Sequence, residues 1–281
     1  MGMMATATTG NGVVGRLART GAKRPRRRWS VVAAAAAVLV VIGGVWFFVV
    51  HRHAPLYVPK LSGQDRLLTN EYAHWNPGAP GSHMSADWSV TSGSLFLRHG
   101  VAWTGVPDAK TPDAASAGGT GSSVFRMTSH RRDFDDVTLA FRLRNLGLIS
   151  NGRAAASEID GVHVLVRWQS PAEFYVVSVN RRDNLVVVKK KLPGGDVNGG
   201  TYITLGQAPS PVAYGTWQSF QVHVKTTGST LVTISVEQHK QTVLTALDDG
   251  THGRAILAPG AVGLRGDNCQ FEFASFKVLP A

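Results

Sequence analysis

His163, Arg167 and Tyr175 are residues of this 281-residue chain whose types and spacing could do chemistry. They fall in two runs, 162–168 and 174–180, that read as neighbouring strands joined by the turn QSPAE. Side chains alternate between the two faces of a strand with period two. With Arg167 opposite Tyr175, one face carries His163, Leu165, Arg167, Tyr175, Val177 and Val179. A third run, 185–191, continues that face with Val186, Val188 and Lys190. The other face carries Val164, Val166, Trp168, Phe174, Val176 and Val187 and is expected to pack on an opposing sheet. The first face mixes apolar and polar groups, which suits a concave surface partly open to solvent. An imidazole, a guanidinium and a phenol placed there could act as base, charge stabiliser and acid. They could also hold a sugar, with an aromatic face on its C–H surface and planar polar groups on its hydroxyls. Trp75 or Trp103 would then be added from a loop, whereas Trp88, Trp168 and Trp217 lie within strand patterns and read as core.

These residues need a sheet to position them. From residue 67 to residue 278, short runs of β-branched and aromatic residues are broken by Gly, Pro, Asn and Asp, the strand-and-turn signal. No stretch past residue 60 has a helical period. Many short antiparallel strands in about 220 residues imply an all-β, two-sheet jelly-roll sandwich. Two stretches read as loops: 105–121, long enough to suggest a function of its own, and 145–160, which holds the turn dipeptide Asn151-Gly152.

Ahead of this domain (63–281) stand a proline-containing linker (51–62) and the uncharged run SVVAAAAAVLVVIGGVWFFVV (30–50). A run of that length crosses a bilayer as a helix. It follows Lys23-Arg24-Pro25-Arg26-Arg27-Arg28, and such basic flanks stay cytoplasmic. Its bulky end, Trp46 to Val50, offers no small-residue cleavage site, so it reads as an uncleaved signal anchor. The expected topology is single-pass in the cell membrane, with a basic cytoplasmic tail (1–29) and an extracytoplasmic C-terminal domain. The net charge of +11 fits that topology: residues 1–50 carry seven basic side chains and no acidic one, leaving 22 basic and 18 acidic beyond. A nucleic-acid partner would want its basic stripe on the folded domain, so none is expected. The lone Cys269 excludes an intrachain disulfide and reads as a small core hydrophobe.

Six segments carry a resemblance: LLTNEYAHWNP (67–77), DWSVTSGSLFLRHGVAWTG (87–105), SSVFRMTSHRRDFDDVTLAFRLRN (122–145), DGVHVLVRWQS (160–170), FYVVSVNRRDN (174–184) and GAVGLRGDNCQFEFASFKV (260–278). Through them the chain resembles the concanavalin A-like lectin/glucanase superfamily, including laminin G-like domains, and most nearly a bacterial extracytoplasmic subgroup. The resemblance implies a jelly roll whose concave face holds glycans. Laminarinase-type members carry two glutamates around an aspartate on a concave strand, and Glu158-Ile159-Asp160 reproduces the first half. The second glutamate is absent, because positions 162 and 163 are Val and His. Val cannot protonate a leaving group, so the two-carboxylate mechanism lacks its acid. Members often hold a structural Ca²⁺ away from the concave face, for which Glu71 and Asp267 are the nearest candidates; no other cofactor is implied. Arg265-Gly266-Asp267 spells an adhesion tripeptide but sits where the superfamily pattern already explains the turn. Lys189-Lys190-Lys191 reads as a solvated strand end that could face an acidic envelope polymer.

The expectation is therefore a membrane-anchored extracytoplasmic module that binds carbohydrate or a cell-envelope polymer, without catalysis. Its contacts would come from His163, Arg167, Tyr175 and Trp103. The alternatives are a glycan-cleaving enzyme, glycoside hydrolase or 3-keto-disaccharide hydrolase-like, using Glu158, Asp160 and His163, and a protein-binding laminin G-like module.

Overall fold

Branched and planar side chains pack well on a half-buried pleated surface, which is why the valine- and phenylalanine-rich runs form strands. The computed structural model describes residues 56–104, 123–149 and 154–281, all inside one compact unit, Arg52–Ala281. The strands are β1 (Arg66–Asn70), β2 (Trp88–Ser92), β3 (Ser94–Arg98), β4 (Val101–Trp103), β5 (Ser123–Ser129), β6 (Val137–Leu148), β7 (Val162–Ser170) and β8 (Glu173–Val179), then β9 (Leu185–Val197), β10 (Gly200–Pro209), β11 (Gln218–Thr227), β12 (Leu231–Gln238), β13 (Gln241–Asp248), β14 (Ala261–Asp267) and β15 (Cys269–Pro280). The helix α1 (Glu71–Trp75) was not expected from the sequence. It is a single turn, too short to show a period, and starts where the Asn70 side chain accepts the Ala73 N–H at 2.8 Å.

The strands form two antiparallel sheets. One has eight strands in the order β1-β3-β4-β15-β6-β11-β12-β13; the other has seven in the order β10-β9-β8-β7-β14-β5-β2. Their facing sides make the core. Val164, Val177 and Val188 come from the seven-stranded sheet, and Leu139, Val222 and Ile234 from the eight-stranded one. A relay of rings, Trp88–Phe276–Phe141–Phe220, runs through it with centroids 5.3, 6.1 and 5.9 Å apart. The two-sheet all-β architecture is thus the one expected. Cys269 is buried in this core and donates to the Gly161 carbonyl at 3.1 Å. Burial pushes its thiol well above the ordinary range, so it stays a neutral packing group.

Tyr57, within the segment read as a linker, is docked on the sandwich. It bridges to Val278, and its ring lies 5.9 Å from Trp88 and 5.6 Å from Phe134. The tail 1–29, the span 30–50, the start of the linker, the loop 105–121 and the turn Asn151-Gly152 lie outside the described residues. Among the described residues, no helix is long and apolar enough to cross a membrane.

Candidate functional site

The pairing of β7 with β8 decides which side chains face the core. Val166, not Arg167, stands opposite Tyr175, and the register then breaks before Ser170 pairs with Glu173. A register change of one residue moves a whole set of side chains to the other face. Tyr175, Val177, Val179, Val186 and Val188 therefore join Val162, Val164 and Val166 in the core. The outer face takes His163 and Leu165 with Phe174, Val176 and Ser178. The apolar set expected to be core is thus split: Val164 and Val166 face inward, whereas Leu165, Trp168, Phe174, Val176 and Ala261 form a separate outer cluster with Tyr202.

Arg167 and Tyr175 accordingly move from the concave face to the inside. Arg167 has a left-handed backbone, φ 46°, at a bulge that turns its side chain inward. Gly260 makes room for the bulge, since a Cβ there would lie 2.5 Å from the Arg167 carbonyl carbon. The guanidinium, 0% exposed, donates to the Ile256 carbonyl at 2.8 Å and to Asp136 at 2.8 Å and Thr226 at 2.6 Å. The Tyr175 hydroxyl donates to Asp248 at 2.6 Å and accepts from the Ile256 N–H at 2.9 Å. Burial and the Asp248 carboxylate both raise its pKa. Lys190 donates to the same Asp248 at 2.7 Å. No ligand on the outer surface can reach these groups.

The other expected residues are scattered. Trp103 lies on β4 in the eight-stranded sheet, against Phe96 and under the Arg98 guanidinium at 4.9 Å. Its neighbour Ala102 points into the core, so the Trp103 ring points away from it. Glu158 is exposed on a turn. Asp160 is buried, and its carboxylate accepts the Ser157 N–H at 2.7 Å and the Asn268 amide at 3.1 Å, which makes it a loop clasp. Glu71 accepts the Gly93 N–H at 3.2 Å beside α1, while Asp267 belongs to β14. Among the described residues, no group of three or more His, Cys, Asp or Glu side chains could hold a metal ion. Trp217, read as core, has the guanidinium groups of Arg142 and Arg144 over its ring at 4.9 and 5.0 Å.

Of the expected ligand contacts His163, Arg167, Tyr175 and Trp103, His163 lines a cavity, which it shares with Asp267. The cavity occupies about 330 Å³ on the outer side of the seven-stranded sheet. Its floor is the outer apolar cluster. Trp168 stacks on Phe174 at 4.5 Å, and Tyr202 meets Phe174 edge-on at 6.1 Å. Its polar wall is a row built by cross-strand pairing: Arg265 opposite His163, and His163 opposite Ser178. Asp267 closes the row, accepting from Arg265 at 2.5 and 3.0 Å and standing 3.2 Å from His163 Nε2. Burial alone would raise the Asp267 pKa, but Arg265 and His163 outweigh it and hold the carboxyl well below the carboxylate range. His163 Nδ1 shares a hydrogen bond with the Ser178 hydroxyl at 2.7 Å, while Nε2 faces the Asp267 carboxylate at 3.2 Å without an aligned hydrogen bond. Lys189 lines the same cavity, and burial followed by Arg181 lowers its pKa.

Ser178, His163 and Asp267 stand in the order of a nucleophile, its base and the base's orienter. Acyl transfer also needs N–H donors aimed at the developing oxyanion. Ser178 sits mid-ladder between His163 and Val187, where no helix N-terminus follows it. The arrangement is better suited to hold hydroxyl groups: a fixed imidazole, a carboxylate and a guanidinium beside aromatic rings. Trp168, Phe174, Tyr202, Ser178 and Arg265 line the cavity although the sequence assigns them to no ligand, whereas it offers Lys189 to an acidic polymer. The turn Pro171-Ala172 was a usable signal. With Ser170 opposite Glu173 across it, even-numbered positions of β7 pair with odd-numbered positions of β8, the parity the structure shows.

No family profile matches the chain, and no curated protein does. Solved structures with a similar arrangement of strands include the carbohydrate binding module CBM66 from Bacillus subtilis. It is 10% identical, with a TM-score of 0.46, over 68% of this chain and 94% of that one. A Bacillus subtilis protein of unknown function with a galectin-like fold is 11% identical, with a TM-score of 0.45, over 80% and 98% of the two chains. LamAcat from Zobellia galactanivorans is 9% identical, with a TM-score of 0.40, over 66% and 79%. The likeness is one of strand arrangement.

Proposed function

We propose that this protein is a membrane-anchored, extracytoplasmic module that binds carbohydrate or a cell-envelope polymer without cleaving it. The observation that carries the reading is the cavity on the seven-stranded sheet, where an aromatic floor of Trp168, Phe174 and Tyr202 meets the polar row Arg265–Asp267–His163–Ser178. Sugars present apolar C–H faces and hydroxyl edges together, and this pairing of surfaces matches both. Residues 30–50 and the basic stretch before them support the anchor and the extracytoplasmic placement. Affinity electrophoresis through polysaccharide-containing gels tests the reading. The full-length protein is expected to be retarded by at least one polymer, and Tyr202→Ala to remove the retardation. Retardation that survives Tyr202→Ala and His163→Ala would sink this site.

One observation favours a second reading, a glycan-cleaving enzyme. His163 lies between a carboxylate and a hydroxyl inside the cavity, the two kinds of group between which an imidazole can move a proton. Release of new reducing ends from a bound polysaccharide, lost in His163→Ala, would establish it.

A further inference from the structure

The outer face of the seven-stranded sheet holds a second cavity of about 420 Å³. It is lined by His74, Trp75, Arg126, His130 and Arg132, and shares Trp168 with the first. The two therefore meet at one indole ring, with Arg126 5.9 Å above its centre. The charge lining them is one-sided. Arg181, Lys189 and Arg265 line the first cavity and Arg126 and Arg132 the second, whereas Asp267 is the only carboxylate lining either among the described residues.

The partners of these cations sharpen the point. Arg265 is held by Asp267, and Arg181 by Asp183. Arg132 donates to the carbonyls of Trp168 and Gln169, both neutral acceptors, and one bond of Arg126 goes to the Thr91 hydroxyl. Beneath the first cavity Lys191 donates to the carbonyls of Pro171 and Asn198 at 2.7 and 3.3 Å. Lys189 has no hydrogen-bond or ion-pair partner among the described residues, although its side chain lines the cavity and is partly desolvated. A partly desolvated ammonium is stabilised when an anion joins it.

We propose that the carbohydrate seated on this face is acidic, with an anionic substituent paired to Lys189 and neighbouring sugars laid across Trp168 towards Arg126 and Arg132. The inference rests on the carbohydrate-binding reading above and names the ligand class for that site. A carboxylate and a sulfate present the same charge to Lys189, so both are tested.

The test is isothermal titration of the full-length protein with two matched pairs: polygalacturonate against its methyl ester, and dextran sulfate against dextran. Each pair keeps the sugar backbone and differs in its anionic substituent. At least one anionic member is expected to bind more tightly than its neutral partner, with the preference shrinking as salt rises. Lys189→Met is expected to lower the anionic affinity roughly tenfold, the scale of one hydrogen bond to a charged group, and to leave neutral affinity alone. Lys189→Arg is expected to restore the preference. The melting midpoint of each variant, expected at or above the wild-type value, guards against misfolding. Equal affinity within both pairs would overturn the acidic ligand and leave the carbohydrate reading standing. No binding to any of the four polymers would remove both. A preference unchanged by Lys189→Met in a folded variant would overturn the role of Lys189.

Discussion

Consecutive lysines on β9 show how differently the two faces of the seven-stranded sheet treat the same chemistry. Lys190 points inward, is 0% exposed, and is held by Asp248, which also takes the Tyr175 hydroxyl. Lys189 points outward into the cavity with no hydrogen-bond or ion-pair partner among the described residues, the nearby Asp183 being held by Arg181. Lys191 is on the outer side too, but is folded beneath the aromatic floor, 5.2 Å from the Tyr202 ring centre. The inward-pointing cations are paired with carboxylates of the chain: Arg167 with Asp136 and Asp135, Lys190 with Asp248. The outer face leaves charge to be answered from outside. Buried polar groups that satisfy one another hold a fold together, and polar groups left facing a cavity are where a ligand acts.

That contrast can be broken from the inner side first. Asp248→Ala strands the Lys190 ammonium in the core and is expected to cost about 3–5 kcal/mol of stability, read by urea unfolding. Affinity for polysaccharide in the protein that remains folded is expected to stay the same. On the outer side, Asp267→Asn removes the carboxylate that Arg265 and His163 share and is expected to cost about 1.5–3 kcal/mol near neutral pH. The Asp267 pKa is depressed in the folded state, so its contribution is full above the ordinary carboxylate value of 3.8 and is lost as pH falls through the lower folded value. Wild type and Asp267→Asn should therefore converge in acid, as a pH series of unfolding midpoints would show. Tyr202→Ala is expected to remove about 2 kcal/mol of binding free energy, the scale of an aromatic anchor, with a smaller change in stability.

The smallest effect concerns Lys191. Burial, with Arg265 and Arg126 behind it, lowers its pKa from 10.5 to about 8. The folded protein then releases this proton before the unfolded chain does. Stability relative to Lys191→Met is expected to rise with pH between about 8 and 10.5 and to be flat below that window. A difference that falls across the window would contradict the burial of this cation.

The architecture was legible because period-two patterning and turn residues repeat through the domain, and because one buried thiol needs no special chemistry. Side-chain partition within β8 and β9 was legible too: Tyr175, Val177 and Val179 do share a face with Val186, Val188 and Lys190. What failed was the joint to β7. A pairing one residue away exchanged Tyr175 for Phe174 and sent the wrong set to the surface. The Arg167 bulge compounded the error, because positive φ in an arginine carries no residue signal of its own; only its packing and hydrogen bonds hold it there. Asp267 was noticed for a metal and instead anchors the polar row of the cavity, since its neighbours in space, Arg265 and His163, are cations or donors. Trp103 could not be assigned to a sheet from its own segment, as strand order is set by partners far away in the chain.

The most direct test of the central claim compares one residue from each face of β7. Affinity electrophoresis of the full-length protein would be run in polysaccharide gels for wild type, His163→Ala on the outer face and Val164→Ala on the inner face, with unfolding midpoints measured in parallel. The account predicts that His163→Ala loses retardation and keeps most of its stability, while Val164→Ala keeps retardation and loses stability. Retardation lost in Val164→Ala but retained in His163→Ala, with both variants folded, would contradict it.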